Sequence, residues 1–262
     1  MALFRSIHRV AQLFGADASR AAMTIRYLPR YFHEYRRFKA LLQQTGDSFP
    51  MTKLYPCPFD RVQDSGETTS QYLLQDLYVA NRVYMNNPRR HVDVGSRIDG
   101  FVTHVASFRE LEVFDVRPLS PPPFHVTFTR ADLTSTAFGF DEYCDSVSCL
   151  HALEHFGLGR YGDPLDADGH KKGLHNLWRM LEHGGTLYLS VPIGPQRIEF
   201  NAHRVFSVPY LLELFRDRFV VVGFSLIDDS GRFYPGRSLD PGSVARNFDC
   251  TYGCGIFELR KL

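Results

Sequence analysis

The segment best suited to chemistry in this 262-residue chain is a glycine turn that precedes a strand-end carboxylate. The run His91-Val-Asp-Val-Gly95 reads as an apolar strand entering a turn, and a second predicted strand, Leu111 to Asp115, ends in a carboxylate. In Rossmann-type sheets such a turn lets a ligand approach the start of the next helix, and the carboxylate accepts hydrogen bonds from the ribose hydroxyls. We therefore expect a nucleoside-containing cofactor.

The composition of the turn narrows the choice of cofactor. The dinucleotide fingerprint has glycine at its first, third and sixth places; here Gly95 and Gly100 fill the first and sixth, but Arg97 takes the third. A long side chain there opposes close approach of the backbone to a pyrophosphate, which argues against NAD and FAD. S-adenosylmethionine (SAM) keeps the adenosine and replaces the pyrophosphate with a methionine tail, whose carboxylate Arg97 would hold as a fork. The alternative is that Arg97 points into solvent.

Charge and cysteine content limit the functional class. The formal net charge of +1 gives no overall case for nucleic-acid binding, although residues 1–40 hold eight Lys/Arg against two acids. The five scattered cysteines indicate a reducing compartment, which predicts a cytoplasmic protein. The sequence contains no apolar run of membrane-spanning length and no signal-peptide core.

The N-terminal region differs in character from the rest of the chain. Apolar residues at helical spacing predict two or three amphipathic helices, with a break at Pro29, in a basic arm over residues 1–50. We expect the arm to cap the core or to contact a dimer partner through residues 1–44. A peripheral membrane contact and an organellar targeting role remain alternatives. Residues 51–262 then form the second predicted domain.

Strand and helix patterns alternate through this second domain. This alternation predicts an α/β fold with a Rossmann-like, doubly wound, mainly parallel sheet. The last two strands lack a clear intervening helix and are expected to pair antiparallel. We predict strands near 91–95, 111–115, 125–129, 144–150, 185–191, 218–226 and 254–260, and helices near 72–85, 100–109, 152–156, 170–182 and 207–216.

Five ordered segments resemble class I SAM-dependent methyltransferases. They are Val92-Asp-Val-Gly-Ser96, Phe114-Asp115, Arg130-Ala-Asp-Leu133, Cys149-Leu-His-Ala-Leu-Glu-His155 and Gly184-Gly-Thr-Leu-Tyr-Leu-Ser-Val-Pro192. More narrowly, the Gly-Ser-Arg-Ile-Asp-Gly turn and the segments at 55–60 and 75–80 resemble an uncharacterised family with nematode and bacterial members. The resemblance implies SAM as the cofactor, bound by Asp93, Gly95, Ser96, Arg97, Gly100, Asp115, Asp132, Leu133, Leu150 and His151.

Two histidines are candidates for the catalytic base. Methyl transfer from a sulfonium depends largely on positioning, but a hydroxyl acceptor also needs a group that takes its proton. His155 and His203 follow predicted strand ends at the ligand-binding edge of the sheet, although both also suit structural hydrogen bonds. We expect O-methylation of a small molecule or glycan, with a non-catalytic SAM-binding or interaction module as the alternative.

The same segment allows a metal-dependent alternative. His151-Ala-Leu-Glu-His155 matches H-x-x-E-H, a zinc protease signature that requires a sustained helix and a third ligand. Gly157 and Gly159 would end such a helix early, so we expect no metal. A weaker option pairs Glu154 and His155 with nearby aspartates around a divalent ion; the candidates are Asp163, Asp166 and Asp168.

Overall fold

The computed structural model describes residues 15, 17–45, 49–62, 65–66 and 68–262. Its contacts divide the chain into two compact units, residues 1–67 and residues 68–262. The expected boundary at residue 50 between a helical arm and an α/β domain stays a prediction.

The first unit is built on one long helix, α1, which spans Ala18–Thr45. The predicted break at Pro29 is wrong, because the helix continues through this residue. Proline lacks the N–H that would bond to the carbonyl four residues earlier, but its fixed φ is close to the helical value, so the chain is not forced out of the helix. The helices predicted before Gly15 fall outside the described residues.

Helix α1 carries both apolar and charged side chains on its surface. Ile25, Phe32 and Phe38 are exposed. Glu34 accepts hydrogen bonds from Arg30 at 2.9 Å and from Arg61 at 2.8 Å. Among the described helices, none is both long enough and apolar enough to span a membrane. Membrane contact and dimerisation through residues 1–44 stay predictions.

The second unit contains an eight-stranded sheet in the order β3-β2-β1-β4-β5-β10-β8-β9. β3, β2, β1, β4 and β5 pair in parallel, whereas β10 pairs antiparallel with both β5 and β8. This arrangement confirms the predicted Rossmann-like fold class and its antiparallel C-terminal pair. The strands are β1 (His91–Val94), β2 (Leu111–Asp115), β3 (Val126–Arg130), β4 (Cys144–Leu150), β5 (Leu181–Ile193), β6 (Arg197–Glu199), β7 (His203–Val205), β8 (Phe219–Ile227), β9 (Phe233–Tyr234) and β10 (Gly253–Lys261).

The helices of this unit follow the predicted order, but two of the predicted helices are replaced in part by other helical turns. The predicted helix at 100–109 begins as a π-helix at Ile98–Val102, and the one at 152–156 is a 3-10 turn at Leu153–His155. The β6–β7 hairpin was not predicted, because its strands are too short for a periodic pattern. The α-helices are α2 (Gln71–Asn86), α3 (Thr103–Ala106), α4 (Gly169–Met180), α5 (Val208–Phe215) and α6 (Pro241–Ala245).

Apolar clusters cover both faces of the sheet. On one face, helices α2 and α3 and the π-helix pack through residues such as Val83 and Phe101. On the other face, α4 and α5 pack through residues such as Leu174 and Leu211. Covering both faces explains why the central strands read as almost continuous apolar runs in the sequence. The edge formed by the carboxyl ends of the parallel strands stays open for polar side chains.

Candidate functional site

The turn after β1 is held by a buried carboxylate. Asp93 accepts hydrogen bonds from the backbone N–H of Ser96 at 3.2 Å, from its hydroxyl at 2.8 Å, and from the Ser148 hydroxyl at 2.6 Å. Burial raises the pKa of Asp93 to about 7, although these hydrogen bonds favour its charged form. The buried Asp93 carboxylate therefore fixes the shape of the turn through these hydrogen bonds.

Both glycines of the turn are required by close contacts. Gly95 has a φ of +77°, and a Cβ there would lie 2.8 Å from the Cβ of Ala152. A Cβ at Gly100 would lie 2.7 Å from a carboxylate oxygen of Asp76, which comes from helix α2. Side chains at these positions would push the β1 turn away from its neighbours.

A cleft opens at the carboxyl ends of β1, β2 and β4. The empty space between its lining residues, part of it open to solvent, is about 530 Å³. The structure brings several predicted site residues together in its lining. These are Gly95, Asp115, Asp132, Leu133, His151 and His155.

The remaining predicted residues lie around this cleft rather than in its lining. Asp93 and Leu150 are buried in the fold. Ser96 and Arg97 line a separate groove that shares Asp115 and Arg117 with the cleft. Arg97 is exposed and binds Asp99 through two hydrogen bonds of 3.0 and 2.6 Å. The contact of Arg97 with a methionine carboxylate stays a prediction.

The Asp115 carboxylate is held by Arg117. One oxygen accepts from the Arg117 backbone N–H at 2.8 Å and from Nε at 3.0 Å, and the other accepts from the guanidinium at 2.6 Å. The guanidinium also lies 4.5 Å from the ring centroid of Tyr161. Both residues line the cleft. Arg117 was not predicted as a site residue, although its spacing of two from a strand-end aspartate would have been the signal.

His151 and Glu154 form a buried pair beside the cleft. His151 Nδ1 lies 2.9 Å from Glu154 Oε1, and both side chains are at most 3% exposed. Burial alone would lower the pKa of His151, but the Cys254 thiol and the Glu154 carboxylate outweigh it and raise this pKa well above its ordinary value. The backbone of His151 has a φ of +48°, an unusual value for a non-glycine residue. Strain of this kind concentrates at functional sites.

The two predicted catalytic histidines lie near each other. The rings of His155 and His203 are 6.5 Å apart. His155 Nδ1 lies 2.6 Å from the Ala202 carbonyl oxygen. Because a carbonyl only accepts, Nδ1 carries the proton, and the Nε2 of a neutral His155 has a free lone pair. Burial lowers the pKa of both His155 and His203. His155 therefore has the tautomer and charge state that a proton acceptor requires.

The loop that carries these groups is fixed by Arg204. This buried guanidinium donates to the carbonyl oxygens of Glu154 at 3.3 Å, Phe156 at 2.7 Å and Ala167 at 3.3 Å. Asp163, which also lines the cleft, accepts from the backbone N–H groups of the glycine-rich turn at 157–161. This role of Arg204 was not predicted from the sequence.

The zinc-protease interpretation of H-x-x-E-H requires one sustained helix. Strand β4 runs to Leu150, and only Leu153–His155 forms a 3-10 turn, so the two histidines do not share a helical face. Within the described part of the chain, no group of three or more His, Cys, Asp or Glu side chains is arranged to hold a metal ion. The backbone here does not supply the helix on which that signature depends.

This chain is similar in sequence to one protein family and in fold to several solved structures. The model of the family "Caenorhabditis protein of unknown function, DUF268" matches residues 126–233, which is less than half of the chain. A search of curated protein sequences finds no match. The solved structure of the 4+2 cyclase SpnF is similar with a TM-score of 0.50 and 17% identity, covering 72% of this chain and 80% of SpnF.

Two solved methyltransferases are similar at slightly lower scores. The N-methyltransferase NodS from Bradyrhizobium japonicum WM9, in complex with S-adenosylhomocysteine (SAH), has a TM-score of 0.48 and 14% identity, covering 85% of this chain and 97% of NodS. The Burkholderia thailandensis 1,6-didemethyltoxoflavin-N1-methyltransferase has a TM-score of 0.49 and 15% identity, covering 72% of this chain and 79% of the enzyme. Residues 68–262 thus have a Rossmann-like α/β fold with a mainly parallel sheet, and residues 126–233 match the DUF268 family model.

Proposed function

We propose that the protein is a SAM-dependent methyltransferase that methylates a hydroxyl group of a small molecule or glycan. One observation carries this proposal: the β1 glycine turn, the β2 carboxylate and the Asp132-Leu133 pair line a single cleft. NodS and the toxoflavin methyltransferase, which are similar in fold, are described with bound SAH. We therefore include SAM, as the cofactor of this chain, in the proposal.

The residues of the cleft fit an adenosyl cofactor. The backbone of Gly95 lines the cleft, and Asp115 stands at the end of β2, where a ribose diol would donate to it. The ribose must share or replace the hydrogen bonds that Arg117 now makes with Asp115. Asp132 accepts from the Thr134 N–H and hydroxyl at 2.8 and 2.7 Å, which holds this pair at the rim of the cleft.

The chain's own residues would position the acceptor and receive its proton. SAM, held by Gly95 and Asp115, would supply an electrophilic methyl group to the acceptor oxygen, with the methylated acceptor and SAH as the products. The hydroxyl proton passes to an imidazole nitrogen, for which His155 Nε2 is the better prepared of the two predicted bases. His203 would support it from strand β7.

Calorimetry with SAM, SAH and NAD tests the cofactor proposal. We expect heat of binding from SAM and SAH and none from NAD, because Arg97 stands where a pyrophosphate would need close backbone approach. The absence of heat from both adenosyl compounds at millimolar concentration would refute the cofactor assignment. If SAM binds, incubation of labelled SAM and the protein with cell extract would reveal whether an acceptor is methylated.

A non-catalytic binding module is the second candidate function. The observation that favours it is the Arg117–Asp115 pair, which occupies both oxygens expected to bind ribose. Weak or absent binding of SAM would support an interaction module, and tight binding of SAM with no labelled acceptor in any extract would support a non-catalytic SAM-binding module. A cytoplasmic location stays a prediction for either function.

A further inference from the structure

A second polar site lies under the rim of the cleft, on the side of strands β7 and β10. It consists of His151, Glu154, His155, His203 and Tyr252, which we call the Glu154 cluster. Glu154 is at its centre: Oε1 lies 2.9 Å from His151 Nδ1 and 3.8 Å from His155 Nε2. Tyr252 is brought in from the start of β10 and packs on His203 at a ring-centroid distance of 5.1 Å.

Three atoms of this cluster are buried without a hydrogen bond. They are His151 Nε2, Glu154 Oε2 and His203 Nε2. The nearest carboxylate oxygen to His203 Nε2 belongs to Glu199, at 3.5 Å. A buried polar atom without a partner is destabilising, so native proteins rarely bury several in one place without a ligand or water for them. The three atoms indicate a site that a polar molecule completes.

Each imidazole of the cluster is covered by a tyrosine ring. Tyr72 packs on His151 at 5.0 Å and Tyr161 packs on His155 at 5.4 Å. Tyr161 also lines the cofactor cleft, which links the two sites. Together with Tyr252, these partly exposed rings lie tilted or edge-on to the imidazoles and surround the cluster with aromatic surface. Aromatic surface of this kind suits a ring-shaped ligand better than an extended chain.

The charges of the cluster favour a neutral ligand. The raised pKa of His151 makes its imidazolium the counter-charge of Glu154, while burial lowers the pKa of His155 and His203 and keeps both neutral. An ammonium group would meet a carboxylate that is already paired, and an anion would face that carboxylate directly. A hydroxyl acceptor needs a base to take its proton, and the neutral imidazoles can serve as that base. A neutral amine is methylated without prior loss of a proton and would not need them.

We propose that the Glu154 cluster is the acceptor subsite of the methyltransferase and that it takes a neutral, ring-borne diol. One hydroxyl donates to Glu154 Oε2, and the neighbouring hydroxyl faces the imidazoles of His155 and His203. Glu154 is then an acceptor-binding residue in addition to holding His151. This inference rests on the proposed function, since it requires SAM in the adjoining cleft.

Chemical footprinting tests the subsite without knowledge of the natural acceptor. Diethyl pyrocarbonate modifies accessible imidazoles, and mass spectrometry reports each histidine separately. The SAH-loaded protein is treated alone and with catechol, benzylamine or benzoate, which present a neutral diol, a cation and an anion on the same ring. His91, whose two ring nitrogens bond to Ser146 and Ser148, is the unreactive reference, and exposed His183 is the reactive one.

We expect the neutral His155 and His203 to react faster than His91, and catechol to slow their reaction at least threefold while His183 is unaffected. Protection by benzylamine or benzoate equal to that by catechol would overturn the neutral-diol assignment. Failure of every ring probe to protect, or reactivity as low as that of His91, would overturn the subsite itself. SAH binding is measured first by calorimetry. A failure of the cofactor proposal is therefore distinguished from a failure of the acceptor subsite.

Substitution of Glu154 provides the matched test. Glu154→Gln keeps the shape of the side chain, and we expect it to abolish protection by catechol while SAH affinity changes less than twofold. Glu213→Gln, on the exposed surface of α5, should leave both unchanged. If Glu154→Gln fails to fold, His203→Gln replaces it, scored by the protection of His155. Full protection by catechol in a folded Glu154 variant would contradict the role of Glu154.

Discussion

At the scale of single residues, Asp115 tests the cofactor site most directly. Replacing it with asparagine keeps its volume but removes the charge that would accept two ribose hydroxyls. We expect Asp115→Asn to weaken SAH binding by about 1.5–3 kcal/mol, the range for hydrogen bonds to a charged group. Calorimetry of the folded variant measures this, with Asp141→Asn on the exposed surface as the control. An unchanged dissociation constant would place the ribose elsewhere.

Arg117 should have the opposite effect on affinity. Its guanidinium competes with a ribose for both oxygens of Asp115, and the Arg117 side chain is partly exposed. An ion pair of this kind contributes about 0.2–1 kcal/mol. Arg117→Met is therefore expected to tighten SAH binding by up to about fivefold in the same calorimetric assay. Weaker binding would mean that Arg117 contacts the cofactor rather than competing with it.

Asp93 predicts a pH dependence of stability. Its pKa is raised from 3.8 to about 7, so the folded state binds this proton more tightly than the unfolded state. The contribution to stability is fully present below pH 3.8 and is lost as the pH rises through about 7. The slope for one proton is at most about 1.4 kcal/mol per pH unit. Urea unfolding at several pH values should show a shallower decline in Asp93→Asn, and an identical decline would contradict the assignment.

At the scale of elements, Arg204 is the residue that connects the loop after β4 to strand β7. Replacing it with methionine leaves the carbonyl groups of Glu154, Phe156 and Ala167 without their donor. We expect Arg204→Met to lower the free energy of unfolding by about 1–3 kcal/mol for an unsatisfied buried group. Amide hydrogen exchange should accelerate in residues 154–167 before it does elsewhere.

A matched surface substitution controls for the loss of charge. Arg216 forms an exposed pair with Glu213, so Arg216→Met should change stability by no more than about 0.5 kcal/mol. Equal effects of the two substitutions would show that Arg204 does not hold the loop. Uniform acceleration of exchange over the whole sheet would lead to the same conclusion.

The elements themselves were largely predictable from sequence. Strands β1, β2 and β4 are buried runs flanked by turn residues, and the alternation with helices fixed the fold class. The helix break predicted at Pro29 was wrong because helix-forming residues on both sides outweighed the local effect of the proline. Hairpin β6–β7 was missed because three-residue strands carry no measurable period.

The candidate site was predictable only in part. The spacing of Gly95 and Asp115 from strand ends identified two walls of the cleft, because strand ends meet at one edge of a parallel sheet. The contacts of Arg117, Glu154 and Tyr252 depend on loop conformations and on residues far apart in sequence. No periodic pattern encodes such contacts. The convergence of Tyr252 with the candidate residues His151, Glu154, His155 and His203 is therefore seen only in three dimensions.

At the scale of the whole molecule, metal content separates the remaining hydrolase alternative from the methyltransferase. We expect purified protein to contain far less than one zinc per chain by elemental analysis, and its melting temperature to be unchanged by a chelator. The reason is that the H-x-x-E-H segment lacks the continuous helix that would align its histidines. Near-stoichiometric zinc, with a lower melting temperature after chelation, would restore the hydrolase hypothesis.

The position of β10 has a consequence for how the molecule is made. Strand β8 joins the sheet through β10, and β10 pairs with β5 on its other side. During synthesis, β5 and β8 therefore leave the ribosome before the strand that belongs between them. Until residues 253–261 arrive, both strands present open edges that can pair with other chains. We expect the newly made chain to depend on protection from aggregation up to the moment when its last sheet strand is inserted.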